Sequence, residues 1–259
     1  MKYLYAFFLG LKLLLFVMFL VISPRLFALK PSSIYVDNPM NYGVKYTIRK
    51  VLTVDKFSIN TWTIPPKAKS KNKTIVLCST DAGNISYFTG QALLLAEMGY
   101  RVILFDYRGF GQSQSFKTDT TLLFHKEYLL DFEATLKYAR RQYPKDKIGA
   151  IGFSMGGYFP LITDKKLDFI IGESPLCNPT SFIERLNKPT LSLPLGFINP
   201  KPKNKIPQLY FLGSEDKFIK IEDTLVPYVV LYKGKHLGVY EAMGGTFFKY
   251  IDLFLKGLM

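Results

Sequence analysis

The segment Ala150 to Gly157 reads AIGFSMGG and contains Gly152-Phe153-Ser154-Met155-Gly156, a glycine–x–serine–x–glycine pentapeptide. An apolar run, KIGAIGF, leads into it, and small residues follow. A serine between glycines, where a strand turns sharply into a helix, projects its hydroxyl past a sheet edge. The next backbone N–H, here that of Met155, then faces a bound carbonyl. Such a serine attacks acyl carbon once a base takes its proton. The chain has two histidines, His125 and His236. His125 falls inside the long amphipathic stretch TLLFHKEYLLDFEATLKYARRQY and reads as an ordinary helix residue. His236, in YKGKHLGVY, lies between the last apolar run and the closing amphipathic stretch, where a loop can hang an imidazole over a sheet edge. The carboxylate that orients such a histidine falls between serine and histidine in chain order. FLGSEDKFI offers Asp216 as first choice and Glu215 as the alternative. Ser154, Asp216 and His236 are therefore the candidate catalytic set for acyl transfer through an acyl-serine intermediate.

These residues need a scaffold that brings them to one edge. Short runs rich in β-branched and aromatic residues, VKYTIRKVLTV and FSINTWTI, read as two adjacent strands. TIVLCS, RVILFDY, KIGAIGF, LDFIIGE, PQLYFLGS and PYVVLYKG read as further strands, several with the unbroken apolar character of strands buried on both faces. Between them, YFTGQALLLAEMGY has helical spacing and ends at Gly99, the TLLFHKEY stretch is stopped by Pro144, and GGTFFKYIDLFLKGL closes the chain. Strands alternating with helices predict an α/β fold, a mostly parallel sheet covered on both faces. Pro160 predicts a short or kinked helix after the serine turn. Residues 175–207 hold seven prolines without clear periodicity and read as a small lid inserted in a domain spanning 31–259.

The chain has 259 residues, a formal net charge of +14 and 48% hydrophobic residues, enough for one large α/β domain or two small ones and against disorder. Lysines cluster at 67–73 and 201–205, in segments that read as surface loops. No nucleic-acid-binding motif accompanies them, and nucleic acid is not expected as a partner. Cys78 and Cys177 are far apart, and with two histidines no metal site is expected; no cofactor motif is present. Tyr3 to Ile22 is almost entirely apolar and matches the length of a bilayer span, broken at Lys12. Residues 1–30 therefore read as an N-terminal hydrophobic helix, either a single-pass membrane anchor or a signal segment whose cleavage would release a secreted or periplasmic protein.

DAGNISYF, ILFDYRGFGQSQ, GFSMGG, GSEDKFI and GKH together resemble the α/β-hydrolase superfamily. They are similar, more narrowly, to the membrane-anchored α/β-hydrolase-domain 13 and 17 proteins and their bacterial relatives. The resemblance covers roughly Lys45 to the C-terminus and implies the α/β-hydrolase fold. It also implies a serine hydrolase acting on carboxylic esters or thioesters, of small molecules or lipids, with the membrane as a partner through the N-terminal segment. The second oxyanion N–H is supplied in that family by the turn after the third strand, here STDAGN, which points to the amide of Asp81, with Ala82 as the alternative. Where the family has His-Gly-Asn, this chain has Ser79-Thr80-Asp81. Threonine in place of glycine predicts a more restricted turn, and a carboxylate beside an oxyanion is repulsive unless it turns away. Two other readings follow from the same residues: a catalytically impaired binding protein on this fold, and a serine peptidase.

Overall fold

Apolar runs punctuated by turns form eight strands in one sheet. They are β1 (Thr47–Leu52), β2 (Ser58–Ile64), β3 (Lys73–Cys78), β4 (Arg101–Phe105), β5 (Lys147–Phe153), β6 (Ile170–Glu173), β7 (Gln208–Gly213) and β8 (Tyr228–Tyr232). The computed structural model describes residues 29–257 apart from 189, 225 and 227. The hydrophobic segment expected over 1–30 thus falls, but for its last two residues, outside the described residues. Among the described residues no helix is long and apolar enough to cross a membrane.

The strand order is β1-β2-β4-β3-β5-β6-β7-β8. β1 pairs antiparallel with β2, and β2 antiparallel with β4. From β4 to β8 every pairing is parallel. Each parallel step requires a crossover that returns the chain to the same edge. The helices are α1 (Thr89–Glu97), α2 (Tyr128–Gln142), α3 (Tyr158–Ile162), α4 (Pro179–Leu186), α5 (Val239–Met243) and α6 (Gly245–Leu255). One core packs Phe132 and Leu136 of α2, Tyr158 and Phe159 of α3 and Phe182 of α4 against one face of the sheet. The other packs Ala92 and Leu95 of α1 and Phe247 and Ile251 of α6 against the opposite face. Along β5, Ala150 enters the first core and Ile151 the second, so this strand's apolar run has no polar alternation. The expected layered α/β architecture is what the chain adopts.

Two local expectations need correction. The helix expected from Thr121 begins at Tyr128, and His125 lies in the turn before it. That segment is held elsewhere: Leu123 N–H donates to Ser192 O at 2.9 Å, and Asp119 N–H donates to His125 Nε2 at 2.9 Å. Within 175–207, α4 is a regular helix that proline content obscured. Its start and stop are written locally, with Asn178 Oδ1 accepting from Ser181 N–H at 3.1 Å, Pro179 in the first turn, and Asn187 in the left-handed region at φ 48°. After Pro160 the helix is short, five residues in all. The proline stands in its first turn, where no N–H is missed.

A buried ion cluster ties three segments together below the sheet edge. The Arg108 side chain is fully buried, with Nε donating to Asp131 Oδ1 at 2.9 Å and Nη1 donating to Asp55 Oδ2 at 2.6 Å. The Arg108 amide donates to Asp131 Oδ2 at 2.9 Å, and the guanidinium lies 4.2 Å from the Phe57 ring centre. This joins the loop after β4 to α2 and to the β1–β2 turn. Removing one partner strands a buried charge. Arg108→Met is therefore expected to lower unfolding free energy by roughly 3–5 kcal/mol, measured by urea denaturation; a loss under about 1 kcal/mol would mean the cluster is dispensable.

Candidate active site

Ser154 directly follows β5 and sits in the left-handed region, at φ 48°. That region is unfavourable by roughly 1–2 kcal/mol for a residue with a Cβ, and tight packing holds the serine there. A Cβ on Gly152 would stand 2.5 Å from Gly157 Cα, and one on Gly156 would stand 2.3 Å from the carbonyl oxygens of both Cys78 and Ser79. The turn packs against the end of β3 with no room for side chains on either glycine. Leu176 N–H donates to Ser154 O at 3.0 Å, pinning the turn from the other side. Ser154 is 8% exposed.

The three residues expected to act together do meet. Ser154 Oγ is 2.8 Å from His236 Nε2, and His236 Nδ1 is 2.9 Å from Asp216 Oδ2. With the ring protonated at Nδ1, that N–H donates to Asp216 and leaves Nε2 to accept the serine proton. Asp216 follows β7, buried, and its Oδ1 accepts from the amides of Phe218 at 2.8 Å and Ile219 at 3.1 Å. Burial pushes the Asp216 carboxyl up, but the His236 contact and the two amides outweigh it and hold it below its usual value. Glu215, the alternative, is exposed, and its amide donates to Gly234 O at 2.8 Å. His236 rides on the loop after β8, which is drawn against β7 where Gly213 lacks a side chain; a Cβ there would meet Lys235 O at 2.0 Å. The imidazole is flanked by the Phe182 and Phe218 rings, with centroids 5.8 and 5.7 Å away. His125 is remote from this set; its ring is buried edge-on against Phe116 at 4.9 Å, and burial lowers its basicity.

The Met155 amide opens a short helical turn, Ser154–Gly157, directly beyond the serine. The loop 79–84 lies beside it, since its Ser79 carbonyl touches the Gly156 position. Thr80 does not need the conformational freedom of glycine: in this loop only Gly83 has a positive φ, 75°. The restriction expected from losing glycine therefore falls on no strained position. Burial raises the proton affinity of the Asp81 carboxyl. The amide of Ala82 turns to Thr80 Oγ1 at 3.4 Å.

Sequence reading missed Glu173, a buried carboxyl at the end of β6. Its Oε1 accepts from the amides of Gly238 at 2.7 Å and Val239 at 2.8 Å, two and three residues beyond His236, and from Tyr232 Oη at 3.3 Å. Glu173 thus braces the loop that carries the imidazole. Burial, with the Glu241 carboxyl nearby adding to it, pushes Glu173 up to about 7. The only cue in the sequence was a carboxylate closing an otherwise apolar strand. Among the described residues no group of three or more His, Cys, Asp or Glu is arranged to hold a metal ion.

Comparison with known proteins finds a family match over part of the chain. The family profile described as alpha/beta hydrolase fold matches residues 73–162. An acyl transferase of Vibrio campbellii is 32% identical over 176 residues, 65% of this chain and 55% of that protein. An uncharacterized membrane protein of Saccharomyces cerevisiae is 27% identical over 128 residues, 48% of this chain and 42% of that protein. The matched part of this chain thus spans about half the length of these curated relatives. Among solved structures, the esterase Pf2001 of Pyrococcus furiosus superposes with a TM-score of 0.70 at 23% identity, covering 90% of this chain and 98% of that one. A serine hydrolase of Xanthomonas campestris described as lacking a lid gives 0.55 at 18% identity, covering 74% and 86%.

The Glu173 environment makes a signed prediction about pH. The folded protein holds this proton up to about pH 7, whereas an unperturbed glutamate releases it near 4.5. The associated stability is complete below pH 4.5 and drains away as pH rises through 7. Glu173→Gln keeps an oxygen for the two amides and cannot ionise. It should be more stable than the parent at pH 8, by up to roughly 3 kcal/mol, and indistinguishable at pH 4.5. Thermal melts across that range check it, and a pH-independent difference would refute it.

Proposed function

The chain has the α/β-hydrolase fold, and on that premise we propose that it is a membrane-associated serine hydrolase of carboxylic esters or thioesters. The observation that carries this reading is the continuous relay from Ser154 Oγ through His236 to Asp216, at 2.8 and 2.9 Å. In this reading Ser154 Oγ attacks the acyl carbon while His236 Nε2 takes its proton. Asp216 remains ionised and stabilises the imidazolium. The amides of Met155 and Asp81 receive the negative charge that develops on the acyl oxygen. His236 then returns the proton to the departing alkoxide or thiolate, and water, activated by the same imidazole, releases the acid. The Phe182 and Phe218 rings beside His236 give the site apolar walls suited to an acyl chain. Membrane association is supported by the apolar segment Tyr3 to Ile22, by the net charge of +14, and by apolar residues in the 175–207 lid, where Leu195 is 94% exposed.

A second reading, a binding protein that has lost turnover, is favoured by Ser79-Thr80-Asp81 standing where the resemblance expects His-Gly-Asn. Labelling of the full chain in membranes by a fluorophosphonate probe separates the two. The hydrolase reading expects labelling abolished in Ser154→Ala and ester turnover reduced roughly 10³- to 10⁴-fold in Asp216→Asn. Absence of labelling in folded protein would sink it.

The Asp81 carboxyl predicts a pH effect as well. Ionised, it repels the oxyanion; protonated, it does not. Asp81→Asn should raise ester turnover severalfold at pH 8 and change it little in acid, where Asp81 is itself neutral. Initial rates across pH decide this, and an equal change at every pH would remove the carboxylate's charge as the cause.

A further inference from the structure

The first described residues of the chain run beside loop 79–84 in a short parallel pairing, Lys30 with Ala82 and Pro31 with Gly83. Lys30 N–H donates to Asp81 O and Ser32 N–H to Gly83 O, both at 2.9 Å. The loop answers from its far end. Asn84 Nδ2 donates to Ser32 O at 2.9 Å and to Ile34 O at 2.7 Å, and Val36 N–H donates to Ser86 Oγ at 2.9 Å. Ser32 O also accepts from Gly111 N–H at 2.9 Å. Tyr35 then reaches under the loop. Its hydroxyl donates to Asp106 Oδ2 and accepts from Asn60 Nδ2 at 2.7 Å, while Asp106 Oδ1 accepts the Ile85 amide at 3.0 Å. Its ring stands edge-on to Trp62, 4.8 Å between centroids.

A peptide unit is planar, so fixing the carbonyls of Asp81 and Gly83 fixes the 81–82 and 83–84 planes, and with the first of them the Asp81 Cα, one torsion away from the Asp81 amide. Nothing within loop 79–84 is regular structure beyond that two-residue pairing. Its conformation is therefore held largely from outside, by a segment remote in sequence.

We infer that residues 30–36 are a positioning strap for the oxyanion loop, with Tyr35 and Asn84 as its principal fastenings. The inference rests on the hydrolase reading for its catalytic consequence, but the holding of the loop can be measured without it. Neither residue touches the reacting atoms. Their effect is to keep the Asp81 amide at a fixed height beside the Met155 amide, where small displacements weaken stabilisation of the transition state more than substrate binding.

Two full-chain variants isolate the fastenings. Tyr35→Phe keeps the ring against Trp62 and removes the hydroxyl. Asn84→Asp keeps the oxygen that accepts from Ser86 N–H at 3.0 Å and removes both donations to the strap. Amide hydrogen exchange is expected to rise about tenfold or more at residues 81–86, with exchange in α6 unchanged. For an ester substrate, kcat is expected to fall roughly 10- to 100-fold with KM within about twofold. Affinity for an alkyl boronic acid, which places a tetrahedral oxyanion on Ser154, should fall in parallel with kcat. Unchanged exchange at 81–86, or a rise spread over the whole sheet, overturns the strap. Faster local exchange with unaltered kcat and boronate affinity overturns its positioning role. If the parent protein neither binds the boronate nor turns over esters, the hydrolase reading fails, and the exchange data still decide whether the strap holds the loop.

Discussion

Everything at this site depends on how closely the turn after β5 approaches the end of β3. The carbonyls of Cys78 and Ser79 occupy the space a side chain at position 156 would need. With the register Cys78 opposite Gly152, the two central strands end level, and the turn folds back over its neighbour rather than beside it. That contact forces Ser154 into an unfavourable backbone region and sets its hydroxyl above the edge. It also places loop 79–84 against the serine. The parallel topology does the rest, because each crossover delivers the next strand end to the same edge. Residues 82 apart in sequence, Ser154 and His236, come within a hydrogen bond by that means.

Three strand-end carboxyls share one device and differ in outcome. Asp106 after β4 accepts the amides of Ile85 and Gln112, Glu173 at the end of β6 those of Gly238 and Val239, and Asp216 after β7 those of Phe218 and Ile219. Each braces a loop by gathering backbone N–H groups that the end of regular structure leaves without partners. Asp216 alone also faces an imidazole, and it alone of the three is held below its ordinary value. For Asp106 and Glu173 burial dominates and the proton is retained more tightly. The same side-chain chemistry thus holds its proton more tightly than usual in two places and less tightly in the third, beside the imidazole.

The layers and the relay were legible in the sequence because their signals are local. An apolar run followed by Gly-Phe-Ser-Met-Gly states a strand and its turn within a dozen residues, and the chain order of Ser154, Asp216 and His236 follows the strand ends. The strap was not legible. Its contacts are mostly backbone to backbone, which leave no mark on residue type, and Tyr35 and Asn84 act across dozens of positions. Glu173 was hidden for a related reason: a carboxylate closing an apolar run reads as a surface residue until the 236–239 loop is laid over it. His125 was misread as helical because amphipathic spacing continues upstream of Tyr128. Helix α4 was hidden by the prolines around it, although its caps were spelled out at Asn178 and Asn187.

Strand β1 is the outer edge of the sheet, and among the described residues no further strand pairs with its outer side. Ile48, Leu52 and Val54 are exposed along it or just past its end. An open edge with apolar side chains is a template for pairing with another copy's edge. Arg49 and Lys50 sit in the middle of that strand. An antiparallel match of two such edges would bring like charges face to face, and that repulsion opposes the pairing. It is a screened force, fading over roughly 8 Å at physiological ionic strength. Concentrated salt would therefore weaken the molecule's guard against its own copies while leaving the apolar attraction intact, so self-association should be a property of the buffer as much as of the protein.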